Sequence, residues 1–218
     1  KEAGKSGPLW QPAAEGKCAG EKSQKPLNSD RVSAKELLRR TFPPQKFIVD
    51  ELLVPGLTVV AGAPKIGKSW MMLQLATAIA EGDPFLGCRS RKMELLYVAC
   101  EDSEYRMAER SKKLKSKESD NLLFDWGRDE KVLDLIGSGA GVVILDTFQR
   151  VRPVDGKSYD YAADVKFSGE VQALAQQRGI AVIAVTHTRK EATEDWLHQV
   201  TGTSGITGSA DTVMLLRR

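Results

Sequence analysis

The sequence predicts an α/β domain in which a mostly parallel β-sheet is covered by helices. Short β-branched runs alternate with segments whose apolar residues recur at helical spacing, the pattern of strands joined by crossover helices. A glycine-rich stretch, GAPKIGKSW (62–70), sits between one such run and one such segment. A chain of 218 residues with 41% apolar content can bury one good core, so a single globular unit is expected.

The elements follow in order. Residues 1–30 are rich in Lys, Gly, Pro, Glu and Ser without an apolar period, and read as a flexible tail or linker. The domain is expected over 31–218. Its strands are 57–62 (LTVVAG), 95–100 (LLYVAC), 142–146 (VVILD), 180–187 (IAVIAVTH) and 212–216 (TVMLL). Helices are expected over 70–80 and 162–178, and 103–117 reads as a charged, solvent-facing helix. The chain starts at Lys1 and stops on an apolar strand pattern with no closing loop, so it reads as a fragment truncated at its C-terminal end.

Composition narrows the function classes. Thirty-two Lys and Arg against 29 Asp and Glu leave a net charge of +3, too small to coat a nucleic acid by bulk charge; polyanion contact would need a local patch. Cys18, Cys88 and Cys100 are odd in number and lack metal-ligand spacing, which argues for reduced thiols in a cytoplasmic protein. No segment is apolar enough to suggest a membrane span or an export signal.

GAPKIGKS fits G-x-x-x-x-G-K-S, and its place between strand and helix gives that pattern its physical meaning as a phosphate cradle. Residues Gly62, Ala63, Pro64, Lys65, Ile66, Gly67, Lys68, Ser69 and Trp70 would surround ATP. Gly62 and Gly67 are expected to permit the turns that aim N–H groups inward, and the following helix adds its positive end. Lys68 would reach the β- and γ-phosphates and Ser69 would offer its hydroxyl to Mg²⁺. The side chain of Lys65, mid-loop, is read as solvated.

Ligands of parallel sheets sit at the carboxyl ends of strands. VVILD ends in Asp146, a carboxylate suited to a magnesium-bound water. LLYVAC runs into Glu101 and Asp102. Glu101 is taken as the general base, while the shorter Asp102 suits a helix cap. IAVIAVTH ends in His187, placed to hydrogen-bond a γ-phosphate, whereas His198 lies in a polar loop.

Together these residues resemble the RecA-like hexameric ATPases, and within them the RepA-like group of mobile elements. GAPKIGKS looks like their Walker A motif, Glu101 their catalytic glutamate, VVILDT their Walker B and VTHTRK their sensor. The resemblance spans about residues 45–218. It implies an open, mostly parallel sheet with helices on both faces, Mg²⁺-dependent ATP hydrolysis, and a homo-oligomeric, hexameric ring. In such rings an arginine from a neighbour touches the γ-phosphate; Arg217 and Arg218 are the candidates, or are solvated edge residues.

Two long loops, 149–161 and 188–207, carry basic residues. Arg150, Arg152 and Lys157 beside Tyr159 would combine charge with a stacking surface for single-stranded DNA, unless they form an ordinary surface loop. The expected function is therefore a ring ATPase acting as a replicative helicase. The alternatives are an ATP-gated regulatory or assembly module with little turnover, and a P-loop small-molecule kinase.

Overall fold

The computed structural model describes residues 32–42, 46–127, 132–151, 161–188, 200 and 204–217. The chain divides into two compact units, residues 1–43 and 44–218. In the first, helix α1 (Ala34–Leu37) is capped by Ser33, whose Oγ accepts from the Glu36 N–H at 3.1 Å. No residue of α1 is buried. The tail expected over 1–30 lies outside the described residues.

The second unit runs β1 (Gly56–Gly62), α2 (Lys68–Glu81), β2 (Leu95–Ala99), α3 (Glu104–Lys113), β3 (Leu122–Asp125), α4 (Val132–Ile136), β4 (Val142–Asp146), α5 (Phe148–Val151), α6 (Tyr161–Arg178), β5 (Ala181–His187), α7 (Ser204–Ser209) and β6 (Thr212–Leu216). Its strands form one sheet in the order β3-β2-β4-β5-β1-β6, and every pairing is parallel. Parallel sheets need cover on both faces, and β1, β2 and β4 are buried along their whole length. Alternate residues point to opposite sides. Val60, Tyr97, Ile144 and Ile183 join α2 and Met107 of α3 in one cluster, whereas Val59, Val98, Val143 and Val182 join α4 to α7 in the other. The edge strands β3 and β6 are mostly half-buried.

All five expected strands form, within a residue or so of their expected limits. The sheet gains a sixth, β3, whose four residues carry too short an apolar run to stand out as a strand. Helix α2 begins two residues earlier than expected, at Lys68. It ends at Gly82, whose left-handed conformation (φ +75°) returns its N–H to the carbonyls of Ala78 and Ile79. Helix α3 stops at Lys113, short of the expected 117. There Lys115 takes φ +54°, and Lys117 turns to the end of α2, where its N–H donates to Glu81 and its ammonium to Asp83. The segments expected as loops after β4 and β5 are partly helical, holding α5 and α7.

Helix α2 fixes the site below, and Leu73 is its fully buried anchor. Leu73→Ala is expected to destabilise the protein by about 2–5 kcal/mol through lost transfer energy and a residual cavity. Urea titration checks this, and a midpoint equal to wild type would show that α2 is not packed as described.

Candidate functional site

Register brings the site together. Gly62 of β1 lies opposite His187 of β5, and Ala99 of β2 opposite Asp146 of β4, so four strands end at one level. The order β4-β5-β1 sets chain-distant strands side by side at the centre of the sheet, the kind of place where ligands of open α/β folds bind.

The loop after β1 enters α2 through Gly67, whose φ of +109° only glycine adopts without strain. Gly67 makes no side-chain cap, so the first N–H groups of this 14-residue helix are left for an anion. The other expected turn glycine is a correction. Gly62 is a strand residue without positive φ; a Cβ there would lie 2.9 Å from the Leu216 carbonyl oxygen, so what it permits is the close approach of β6. The left-handed turn falls on Lys65 instead, at φ +62°.

Lys68 is buried, with its ammonium donating to the carbonyls of Gly62 at 2.7 Å and Ala63 at 3.0 Å. It also lies 3.1 Å from His187 Nδ1. A protonated lysine can only donate, so Nδ1 is the acceptor and the ring proton sits on Nε2. Burial pulls the Lys68 pKa below its ordinary 10.5, against the opposing pull of Asp146 and Glu101.

Asp146 is buried beside it, accepting from the Tyr97 phenol at 2.6 Å and from the Ser69 hydroxyl. Burial raises its carboxyl above the usual value while both hydrogen bonds hold it down. The Asp146–Thr147 peptide is cis. The Thr147 hydroxyl donates to Glu101 at 3.0 Å, and the Arg150 guanidinium stands 3.8 Å from the same carboxylate. Beside it the Cys100 thiol is pushed up to about 11 by burial and then by Asp146, so it stays protonated at neutral pH.

Helix α3 forms the far wall. Its cap is Ser103, whose Oγ accepts from the Arg106 N–H, which corrects the expectation that Asp102 would cap it. Asp102 is instead held by Arg106 at 3.1 Å and by Arg110, and Arg110 lies 5.5 Å from the Trp70 ring centre. Between these walls is a cavity of about 490 Å³. Pro64, Lys65, Lys68, Ser69 and Trp70 line it on one side, with Glu101, Asp102, Asp146 and His187 at the strand ends and Arg106 and Arg110 opposite.

The phosphate-loop residues expected at the site thus share one cavity with the three strand-end residues Glu101, Asp146 and His187, except that Gly62, Ala63 and Ile66 do not line it. Arg150 lies on α5 beside Glu101. Arg217 follows the strand residue level with Gly62, is exposed, and does not line the cavity. Arg152, Lys157, Tyr159, His198 and Arg218 lie outside the described residues. Sequence reasoning missed Tyr97, Thr147, Arg106 and Arg110. The spacing of Asp102, Arg106 and Arg110, four residues apart on one helical face, carried a signal for the last two.

The donors fit a metal delivered with phosphate. Among the described residues no cluster of three His, Cys, Asp or Glu side chains could cage an ion. One hydroxyl and one carboxylate suit Mg²⁺, which keeps several waters and takes its remaining ligands from phosphates.

Residues 23–193 match the AAA domain family, AAA_25. The chain belongs to that family. It is 26% identical over 180 residues to the DNA repair protein RadA of Streptococcus pneumoniae, covering 80% of this chain and 40% of RadA. RadA of Streptococcus pyogenes serotype M6 is 27% identical over 145 residues, 65% of this chain and 30% of that protein. The chain therefore spans less than half the length of these relatives. Among solved structures, the ATPase domain of a helicase superposes with a TM-score of 0.58 at 14% identity, over 75% of this chain and 70% of that one. The flagellar accessory protein FlaH of Methanocaldococcus jannaschii gives 0.50 at 14%, over 78% and 80%. At such identities the likeness is one of fold, and the fold of this AAA domain is that of the RecA-like P-loop ATPases. No helix among the described residues is long and apolar enough to cross a membrane.

The depressed Lys68 pKa has a signed consequence. At neutral pH the lysine is charged in folded and unfolded chains, so the cost of burying that charge is fully present. As pH rises through the lowered folded value, the native lysine gives up its proton first and stability rises. Denaturation at neutral and alkaline pH should show wild type gaining stability relative to Lys68→Met; parallel pH curves would show that the buried ammonium carries no such cost.

Proposed function

We propose that this domain binds ATP with Mg²⁺ in the cavity at the carboxyl ends of β1, β2, β4 and β5, and hydrolyses it. The observation that carries the proposal is the convergence of Lys68, Ser69, Glu101, Asp146 and His187 on that single cavity.

The N–H groups of the loop and of the α2 N-terminus receive the phosphates. Lys68 exchanges one of its present acceptors for a phosphate oxygen, which concentrates positive charge where the transition state gathers negative charge. His187, with its proton on Nε2, donates to the terminal phosphate and registers its loss. Ser69 and Asp146 hold Mg²⁺, which when bound neutralises charge on the phosphate oxygens. Glu101 takes the proton of the attacking water, and Thr147 orients its carboxylate.

Beyond hydrolysis, the proposed setting is a homo-oligomeric ring, hexameric as in the RecA-like ATPases, that works on single-stranded DNA as a helicase. Arg217 or Arg218 would complete a neighbour's site. The resemblance to RepA-like ATPases supports this reading, and so does the likeness to RadA, a protein named for DNA repair. The contact of Arg150 with Glu101 favours a second reading, an ATP-gated module with little turnover, because that cation competes for the base.

Glu101→Gln should bind ATP yet hydrolyse it at least about 100-fold more slowly. Lys68→Ala should abolish turnover while the circular dichroism spectrum stays native. If either variant turned over at the wild-type rate, the role assigned to that residue would be wrong. Single-stranded DNA should stimulate wild-type hydrolysis, less so as salt rises. Hydrolysis indifferent to DNA would support the ATP-gated module.

A further inference from the structure

The geometry points to Tyr97 as a positioning residue for the divalent cation, acting through Asp146. The inference rests on the ATPase reading and goes beyond it, since no motif includes this tyrosine.

Tyr97 has no exposed surface and lies in the middle of β2. It pairs with Ile144, two residues before the Ala99–Asp146 pair, so Tyr97 and Ala99 project from the same face of the sheet. The side chain of Ala99 is small enough for the phenol to pass beneath it to the strand end. There the hydroxyl donates to Asp146 Oδ2 at 2.6 Å. A phenylalanine would fill the same space and keep the ring contact with Phe124, 5.9 Å between centres. Packing alone therefore does not account for the hydroxyl, which at this depth needs an acceptor and finds it in the metal-side carboxylate.

The bond divides the two oxygens of Asp146. Oδ2 is committed to the phenol and Oδ1 is left for the cation or its water. A carboxylate held this way serves Mg²⁺ through one oxygen in a fixed orientation, in keeping with the ion's preference for few carboxylate ligands and several waters. Partners of this outer kind set the direction of the ligand and tune its basicity.

The test separates the metal from the nucleotide. Binding of a fluorescent ATP analogue is measured in EDTA and then across a Mg²⁺ titration, for wild type and Tyr97→Phe. Metal-free affinity should be equal in the two proteins, and the Mg²⁺ concentration giving half the tightening should rise about 10- to 100-fold in the variant. Adding Tyr97→Phe to Asp146→Asn should shift the titration no further, since Tyr97 acts only through that carboxylate. A variant with the wild-type Mg²⁺ curve overturns the inference and leaves the ATPase reading in place, whereas a wild-type protein indifferent to Mg²⁺ overturns both. Should Tyr97→Phe fail to fold, ¹³C-labelled tyrosine in the wild type decides. Its Tyr97 ring-carbon resonance should move when Mg²⁺ is added to the nucleotide complex, and a stationary resonance overturns the inference.

Discussion

Parallel pairing in one register across β2, β4, β5 and β1 is the constraint on which the rest depends. It sets Gly62 against His187 and Ala99 against Asp146, so residues far apart in the chain end at one height. A slip of one residue in any strand would send its side chains to the opposite face. Asp146 would then turn away from Ser69, and the apolar residues of β4 would exchange clusters. The packing that stabilises the sheet therefore also fixes the distances of the site, and the two cannot be altered independently.

Charge is placed in this frame at a cost. Lys68 and Asp146 are both buried, and burial moves each toward its neutral form. Each is compensated locally, the lysine by two carbonyls and His187, the carboxylate by Tyr97 and Ser69. A second pair, Asp102 with Arg110, fills the opposite wall without touching either. The compensation of Lys68 is incomplete because of what its partners are: main-chain carbonyls carry only partial charge, so an arriving phosphate offers the ammonium a better acceptor than those it holds.

How much of this was legible follows from where each feature stores its information. The strands and α2 announce themselves through period and through the spacing of Gly62, Gly67, Lys68 and Ser69. Glu101, Asp146 and His187 were legible because each closes an apolar run, and a strand end in a parallel sheet is a functional address. The role of Gly62 escapes a local reading because a close approach to Leu216 is set by a partner strand more than 150 residues away, which no local pattern records. Tyr97 is hidden for a related reason. A tyrosine within LLYVAC reads as one more apolar strand residue until register shows where its hydroxyl lands. Strand β3 and helices α4, α5 and α7 are stretches of four to six residues, and tertiary packing rather than propensity creates them.

The two carboxylates of the site are held with very different firmness, and their tasks differ accordingly. Asp146 is buried and bonded to a phenol that has no room to turn, so its orientation is a property of the folded core. Glu101 is partly open to solvent, and its arginine partner at 3.8 Å is more open still. Ion pairs of that kind are worth about 0–1 kcal/mol, too little to hold a side chain against a stronger demand. Glu101 can therefore leave Arg150 for a water at almost no cost, while the metal side stays fixed. A base must move with its proton and a metal ligand must not, and the burial of the two residues divides them in that way.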